Sequence, residues 1–354
     1  MATKKNKNWL IYLVAIVIAL VIISPLADKK IMPTAPIIEQ KAHSQPKALT
    51  PIKAKQVLTE KVHVAPPVAP PYKVENHYPS QDVFDEHLCS IDRLHMDYQA
   101  SLTTATQRLS NQYQHQFYQL SPNLTLNLYS VKMTTYFEET LIARINILHQ
   151  EYIKLLGDSA ERKIELNLVI TPERTDYDYY TGFYADNLIT SLGVYFGGLN
   201  IAYIDYQHSD EKALKTALHE TVHAFNAHII GKTPRMFNEG MAEFYENMTI
   251  KDDKLSLVFY TNQLTKPPYP LMQFFDYQQW ANLDIHHLYY SSWAWVAFMY
   301  GDLERLNALI TFIEKEQVEP CSAFSAGETY GIFQEIYSTL ETDFYDWQQN
   351  ISAK

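Results

Sequence analysis

Cysteine is nearly absent from this chain: 354 residues contain two, Cys89 and Cys321. Two thiols so far apart allow a single bridge closing a very long loop in an oxidising compartment, or two buried free thiols. Positive charge is scarce too, with 29 Lys and Arg against 40 Asp and Glu and a formal net charge of -11. Residues 1–80 hold 11 Lys, no Arg and 4 acidic residues, a balance of +7, so the -11 total leaves -18 for residues 81–354. An acidic surface of that kind excludes nucleic acid as a partner, because binding a phosphate backbone needs clustered Lys and Arg. Internal repeats are also lacking. What is present in quantity is apolar material, 47% of residues with 13% aromatic, enough for the core of one large domain or two small ones.

The ends differ in kind. Lys4, Lys5 and Lys7 precede an apolar run from Trp9 to Ala27, broken only near Ser24 and Pro25. That run is longer than the apolar part of most signal peptides and just long enough to cross a bilayer. Pro25, Leu26, Ala27 and Asp28 offer no clean small-x-small cleavage site. We therefore expect residues 1–27 to be an uncleaved membrane anchor, with a cleaved signal as the alternative. Lysines before the run and an acidic bulk after it place the C-terminal part outside the cytoplasm, periplasmic in a Gram-negative cell. Residues 28–80 contain nine of the 17 prolines and no sustained periodicity, the composition of an extended, semi-rigid tether.

From Val83 to about Leu120 apolar residues recur at three and four positions (Phe84, Leu88, Ile91, Leu94, Tyr98, Leu102), which predicts a helical extension over residues 81–121 ended by Ser121 and Pro122. Leu124 to Val131 and Lys163 to Ile170 alternate as strands, separated by a helix around Thr140 to Leu156 that stops at Gly157. Gly193 to Tyr206 reads as one or two strands about a turn at Gly197 and Gly198. Nearly everything beyond is helical. Strands first and helices after define an α+β fold, with residues 122–354 as its main domain.

A helix opening at Ser209 carries His219, Glu220, Thr221, Val222 and His223. On a helix the two histidines lie about 40° apart and one turn along, so both imidazoles can meet one ion. Two neutral imidazoles and one further ligand suit Zn²⁺ with a position left for water. Glu220, on the adjacent strip, reaches that water without ligating the ion and can take its proton. In a chain with 13 histidines the five-residue match is not decisive by itself.

After a break at Gly231 to Pro234 comes Arg235, Met236, Phe237, Asn238, Glu239, Gly240, Met241, Ala242, Glu243, Phe244, Tyr245 and Glu246. Together the two stretches resemble the gluzincin metallopeptidases, in which an Asn-Glu-Gly-x-Ala-Glu helix follows the HExxH helix; within them the chain is similar to the peptidase-MA-like group with short linkers. The resemblance covers about Leu124 to Ile351. It implies a zincin-like domain with a small mixed sheet, an HExxH helix, a glutamate helix and a C-terminal helical tail. It implies one Zn²⁺ held by His219, His223 and Glu239, with Glu220 as the catalytic base. Glu243, one turn beyond Glu239, takes the place of a carboxylate that hydrogen-bonds a zinc histidine; it is also the alternative third ligand. Glu246 reads as solvated surface and His228 as structural.

The same resemblance points to a tyrosine before an apolar helix as oxyanion donor, here Tyr289 or Tyr290, with His286 and His287 as weaker choices. Substrate is expected against an edge strand within Gly193 to Tyr206. That stretch has no Gly-x-Met-Glu-Asn motif for a free α-amine, and Asp205 is its only acid. The expected activity is thus a membrane-anchored zinc peptidase, an endopeptidase in preference to an aminopeptidase, acting on peptide or protein substrates. The alternative is a catalytically silent zincin-like binding or scaffold domain at the cell envelope. A module with a structural zinc is disfavoured, since no Cys or His in register closes the fourth coordination position.

Overall fold

The computed structural model describes Ile91 and residues 98–185, 191–207, 209–251, 254–257 and 267–352. The apolar run, the proline-rich tether and Cys89 lie outside these residues; among those described, no helix is long and apolar enough to cross a membrane. Cys321 is disulfide-bonded.

The fold is α+β. A five-stranded mixed sheet has the order β1-β2-β3-β5-β4, from β1 (Gln114–Ser121), β2 (Leu124–Ser130), β3 (Ile164–Thr171), β4 (Gly193–Phe196) and β5 (Ile201–Asp205). The outer pairs β1/β2 and β4/β5 are antiparallel, whereas β2, β3 and β5 run parallel. Alternation in β2 sends Leu124, Leu126 and Leu128 to one face, where they meet Ile164, Leu166 and Leu168 of β3 in register. β3 is buried on both faces, as expected of a central strand with parallel neighbours.

That first face is covered by α2 (Thr135–Leu156) and α4 (Asp210–Ile229). Thr134 caps α2 by accepting from the Phe137 amide at 3.0 Å, and Gly157 ends it at φ 59°, a conformation suited to glycine. The opposite face is covered by α1 (Tyr98–Gln107) and α3 (Arg174–Thr181), whose Tyr98, Leu102, Ala105, Tyr177 and Tyr180 pack on Val169, Ile201 and Tyr203.

Two expectations change here. The helical reading through Leu120 stops at Gln107, and residues 114–121 form β1, because Tyr118 and Leu120 bury against the core only when β1 pairs with β2. Within the described part of that stretch, α1 roofs the sheet and β1 completes its edge. Beyond α4 the chain is not wholly helical either, since β6 (Met248–Lys251) and β7 (Lys254–Leu257) form a hairpin after α5 (Arg235–Glu246). The remaining helices are α6 (Leu271–Phe275), α7 (Ile285–Tyr300), α8 (Leu303–Val318), α9 (Ala326–Ile336) and α10 (Leu340–Ser352). They pack Trp295, Phe298, Phe312, Phe333 and Phe344 into one aromatic core.

Candidate metal centre and active site

Helix α4 opens at Ser209, whose side chain makes no capping bond; the first turn is tied down through Asp210, which accepts from the Thr134 hydroxyl at 2.7 Å. Its inward face (Leu214, Leu218, Val222, Phe225) sits in the core, leaving His219 and His223 at the rim with side chains 15% and 12% exposed. Gly231, at φ 108°, turns the chain, and Pro234 stands at the N-cap of α5, one residue before the helix. The two helices are locked by a buried chain of amides: the Tyr152 hydroxyl donates to Asn226 at 2.6 Å, and Asn226 donates to Asn238 at 2.8 Å. This gives Asn238 a structural reason for its place in the motif. Gly240 has another, since a Cβ there would stand 2.5 Å from the Ser292 carbonyl oxygen of α7.

The three proposed ligands converge. Nε2 of His219 lies 3.4 Å and Nε2 of His223 3.5 Å from the same oxygen, Oε2 of Glu239. An ion bound tetrahedrally at ~2.0–2.2 Å separates neighbouring ligand atoms by about 3.3–3.5 Å, so the donor set fits Zn²⁺ both in chemistry and in spacing. Among the described residues, the His/Glu group that joins both histidines contains Glu239. Glu243 falls in a second such group, with His219 and Glu246.

Glu246 contacts a candidate ligand histidine, with Oε2 3.1 Å from Nδ1 of His219. Its side chain is 21% exposed, so the solvated-surface reading is corrected. Glu243 keeps a place beside it, within 4.8 Å of both. Spacing held the signal: Glu239 and Glu246 are seven residues apart, on one stripe of the helix. A His219 tautomer with Nδ1–H directed at Glu246 would leave the Nε2 lone pair for an ion.

Charge in this cluster is strongly coupled. Burial alone would lower the His219 pKa, but contacts with Glu239 and Glu246 outweigh it and the net shift is upward. Burial raises that of Glu239, yet His223 and His219 overcome it and hold the carboxyl far below the usual range. Glu243 is pushed up to about 7, chiefly by burial and then by Glu246. A divalent ion competes with the proton for the same lone pairs.

Glu220 is 5% exposed and turned toward β4, where a Cβ on Gly193 would lie 2.7 Å from its Oε1. Burial raises its pKa, while the two histidines and the Tyr195 backbone amide oppose that. The stretch Gly193 to Tyr206 thus divides: β4 is the edge strand beside Glu220, and β5 is interior. Asp205 has a fully buried side chain, 3.5 Å from Arg174.

The two tyrosines separate as well. Tyr289 faces the cluster: burial raises its pKa, Glu239 raises it further, and Arg235 and His219 oppose. Tyr290 stacks on His287 and Trp293, and burial pushes its hydroxyl up to about 12. Adjacent helical positions differ by 100°, and the packing of α7 on α5 decides which one turns inward. His286 is exposed, His287 packs on Tyr269, and His228 is buried with Nδ1 at 2.9 Å from the Ala224 carbonyl. Sequence reasoning missed Arg235, whose Nε is 3.9 Å from Oε1 of Glu239 and whose guanidinium lies over Trp280.

No family profile matches the chain, and no curated protein matches it in sequence.

Proposed function

We propose that this chain is a zinc-dependent peptidase with a zincin-like domain of the gluzincin type, anchored to the membrane by residues 1–27 and acting outside the cytoplasm. One observation carries the reading: both histidine Nε2 atoms of the HExxH helix face a single Glu239 oxygen at the edge length of a zinc tetrahedron, with Glu220 one residue along. His219, His223 and Glu239 would hold the zinc, which would supply Lewis acidity toward a water and a substrate carbonyl. Glu220 takes the proton of the attacking water and returns it to the leaving amine, a task that suits a carboxyl whose pKa burial raises. Tyr289 donates to the carbonyl oxygen as charge develops there. Glu246 fixes the His219 ring, with Glu243 behind it. The substrate lies along β4, whose outer edge is unpaired among the described residues, and pairs with it as an added strand.

The test is metal content of the purified protein by mass spectrometry, beside His223→Ala, together with hydrolysis of a peptide library by the wild type and Glu220→Gln. About one zinc per chain, lost in His223→Ala, and hydrolysis lost in Glu220→Gln with zinc retained are the expected results. Hydrolysis that survives Glu220→Gln overturns the mechanism. A folded protein with zinc and no hydrolysis of any peptide moves the reading to a silent scaffold.

A further inference from the structure

Three side chains from separate elements meet beside the metal centre: Arg235 at the start of α5, Trp280 in the 3₁₀ turn Tyr277–Asn282, and Tyr289 in α7. Trp280 is 3% exposed and fixed by donating from its indole nitrogen to the Phe274 carbonyl at 2.8 Å. The Arg235 guanidinium carbon lies 4.7 Å from the centre of its ring, and the Tyr289 ring meets the same indole edge-on at 6.3 Å. Arg235 is thus pre-ordered by stacking, although its side chain is 46% exposed.

A bland account makes Arg235 a helix-surface partner of Glu239, four residues on. The distance argues against it. At 3.9 Å from Nε, Glu239 is beyond hydrogen-bond length, and its other oxygen is turned to the histidines. No carboxylate among the described residues lies closer to Arg235, and one of its five donors is shared with the Tyr289 hydroxyl, which leaves others for a ligand. Once Glu239 serves a dication, the guanidinium beside it is left uncompensated. In a region with a formal charge of -18, a cation kept at this point draws an anion to the cleft.

We propose that Arg235, laid on Trp280 and flanked by Tyr289, is the carboxylate-recognition subsite of this peptidase. The substrate presents a carboxylate to the guanidinium while its scissile carbonyl faces His219, His223 and Glu239. That carboxylate is either an acidic side chain near the scissile bond or the peptide's own C-terminus, the same chemistry from two sources. The inference rests on the peptidase reading and adds the substrate class to it.

The experiment uses the full-length, zinc-loaded Glu220→Gln protein, so that peptides bind without being cut. Fluorescence anisotropy measures matched pairs: an internal Glu against Gln, and a free C-terminal acid against its amide. A charge-assisted contact to a partly exposed Arg is worth about 10-fold in affinity, and the pair that shows this preference identifies the source. Adding Arg235→Gln erases the preference, so that both members of the pair bind alike; adding Arg235→Lys, which keeps the charge but not the planar fork, retains part of it. Preference that survives Arg235→Gln, or equal binding within both pairs, overturns the proposal while leaving the peptidase intact. If no peptide binds Glu220→Gln and none is cleaved by the zinc-loaded wild type, the peptidase reading itself fails, a separate result.

Discussion

Replacing Glu316 by Gln should stabilise the protein, and by an amount that depends on pH. Glu316 lies near the end of α8 with 1% of its surface exposed. One carboxyl oxygen accepts from the Phe324 amide at 3.4 Å, and the other finds no partner among the described residues. Burial, helped by Glu328, pushes its pKa from 4.5 up to about 8. The folded state therefore holds a proton here that the unfolded chain has released. The stability present below pH 4.5 is lost progressively as pH rises toward 8, and the loss levels off above that. Each pH unit of this window is worth about 1.4 kcal/mol. At pH 7 the penalty is about 2–3 kcal/mol, allowing for relaxation around the site.

Glutamine keeps the acceptor for Phe324 and carries no charge to bury. In urea unfolding followed by tryptophan fluorescence, Glu316→Gln should match the wild type at pH 4.5 and exceed it by about 2–3 kcal/mol at pH 7, with an unchanged m-value. Equal differences at both pH values would refute the reasoning, because the effect would then be packing and not ionisation.

Three further outcomes follow from the geometry of the site. Gly240→Ala places a methyl group 2.5 Å from the Ser292 carbonyl oxygen and 2.8 Å from Val296; forcing α5 from α7 should cost about 1–3 kcal/mol, read as a lowered melting temperature. Glu246→Gln weakens the orientation of His219, so zinc affinity by chelator competition should fall about 10- to 100-fold with the fold intact. Gly193→Ala meets Thr216 at 2.4 Å and Glu220 at 2.7 Å; the flexible carboxylate swings aside, and peptide hydrolysis should fall about 100-fold while zinc content stays near one per chain.

Legibility followed the range of the interaction that fixes each residue. The spacing of His219 and His223 is a property of one helix, and a sequence displays it. The alternation of Leu124, Leu126 and Leu128 announces a strand for the same reason, as does Gly157 the end of α2. β1 was hidden because its sequence is polar at both ends and becomes a strand only through pairing with β2. Whether Tyr289 or Tyr290 lies nearer the His/Glu cluster, and whether Glu243 or Glu246 touches His219, depends on the packing of α7 and α5, which neighbouring positions in sequence do not encode. Arg235 was read as part of a motif; its role is set by Trp280, 45 residues downstream.

The candidate ligands His219, His223 and Glu239 are held less by their own contacts than by the corner joining their helices, and that corner leans on α8. Gln317 donates to the Ile229 carbonyl at the end of α4 at 3.0 Å, and the Lys232 amide of the connector donates to the Pro320 carbonyl at 2.8 Å. Gly231 allows this approach, since a Cβ there would meet Pro320 at 2.4 Å. The residues beside these contacts are Glu316, the buried acid, and Cys321, the bridged cysteine. A change that loosens this end of α8 therefore moves Glu239 relative to His219 and His223 without touching any of them. Reduction of the disulfide should lower zinc affinity by that route even though Cys321 ligates nothing in the cluster.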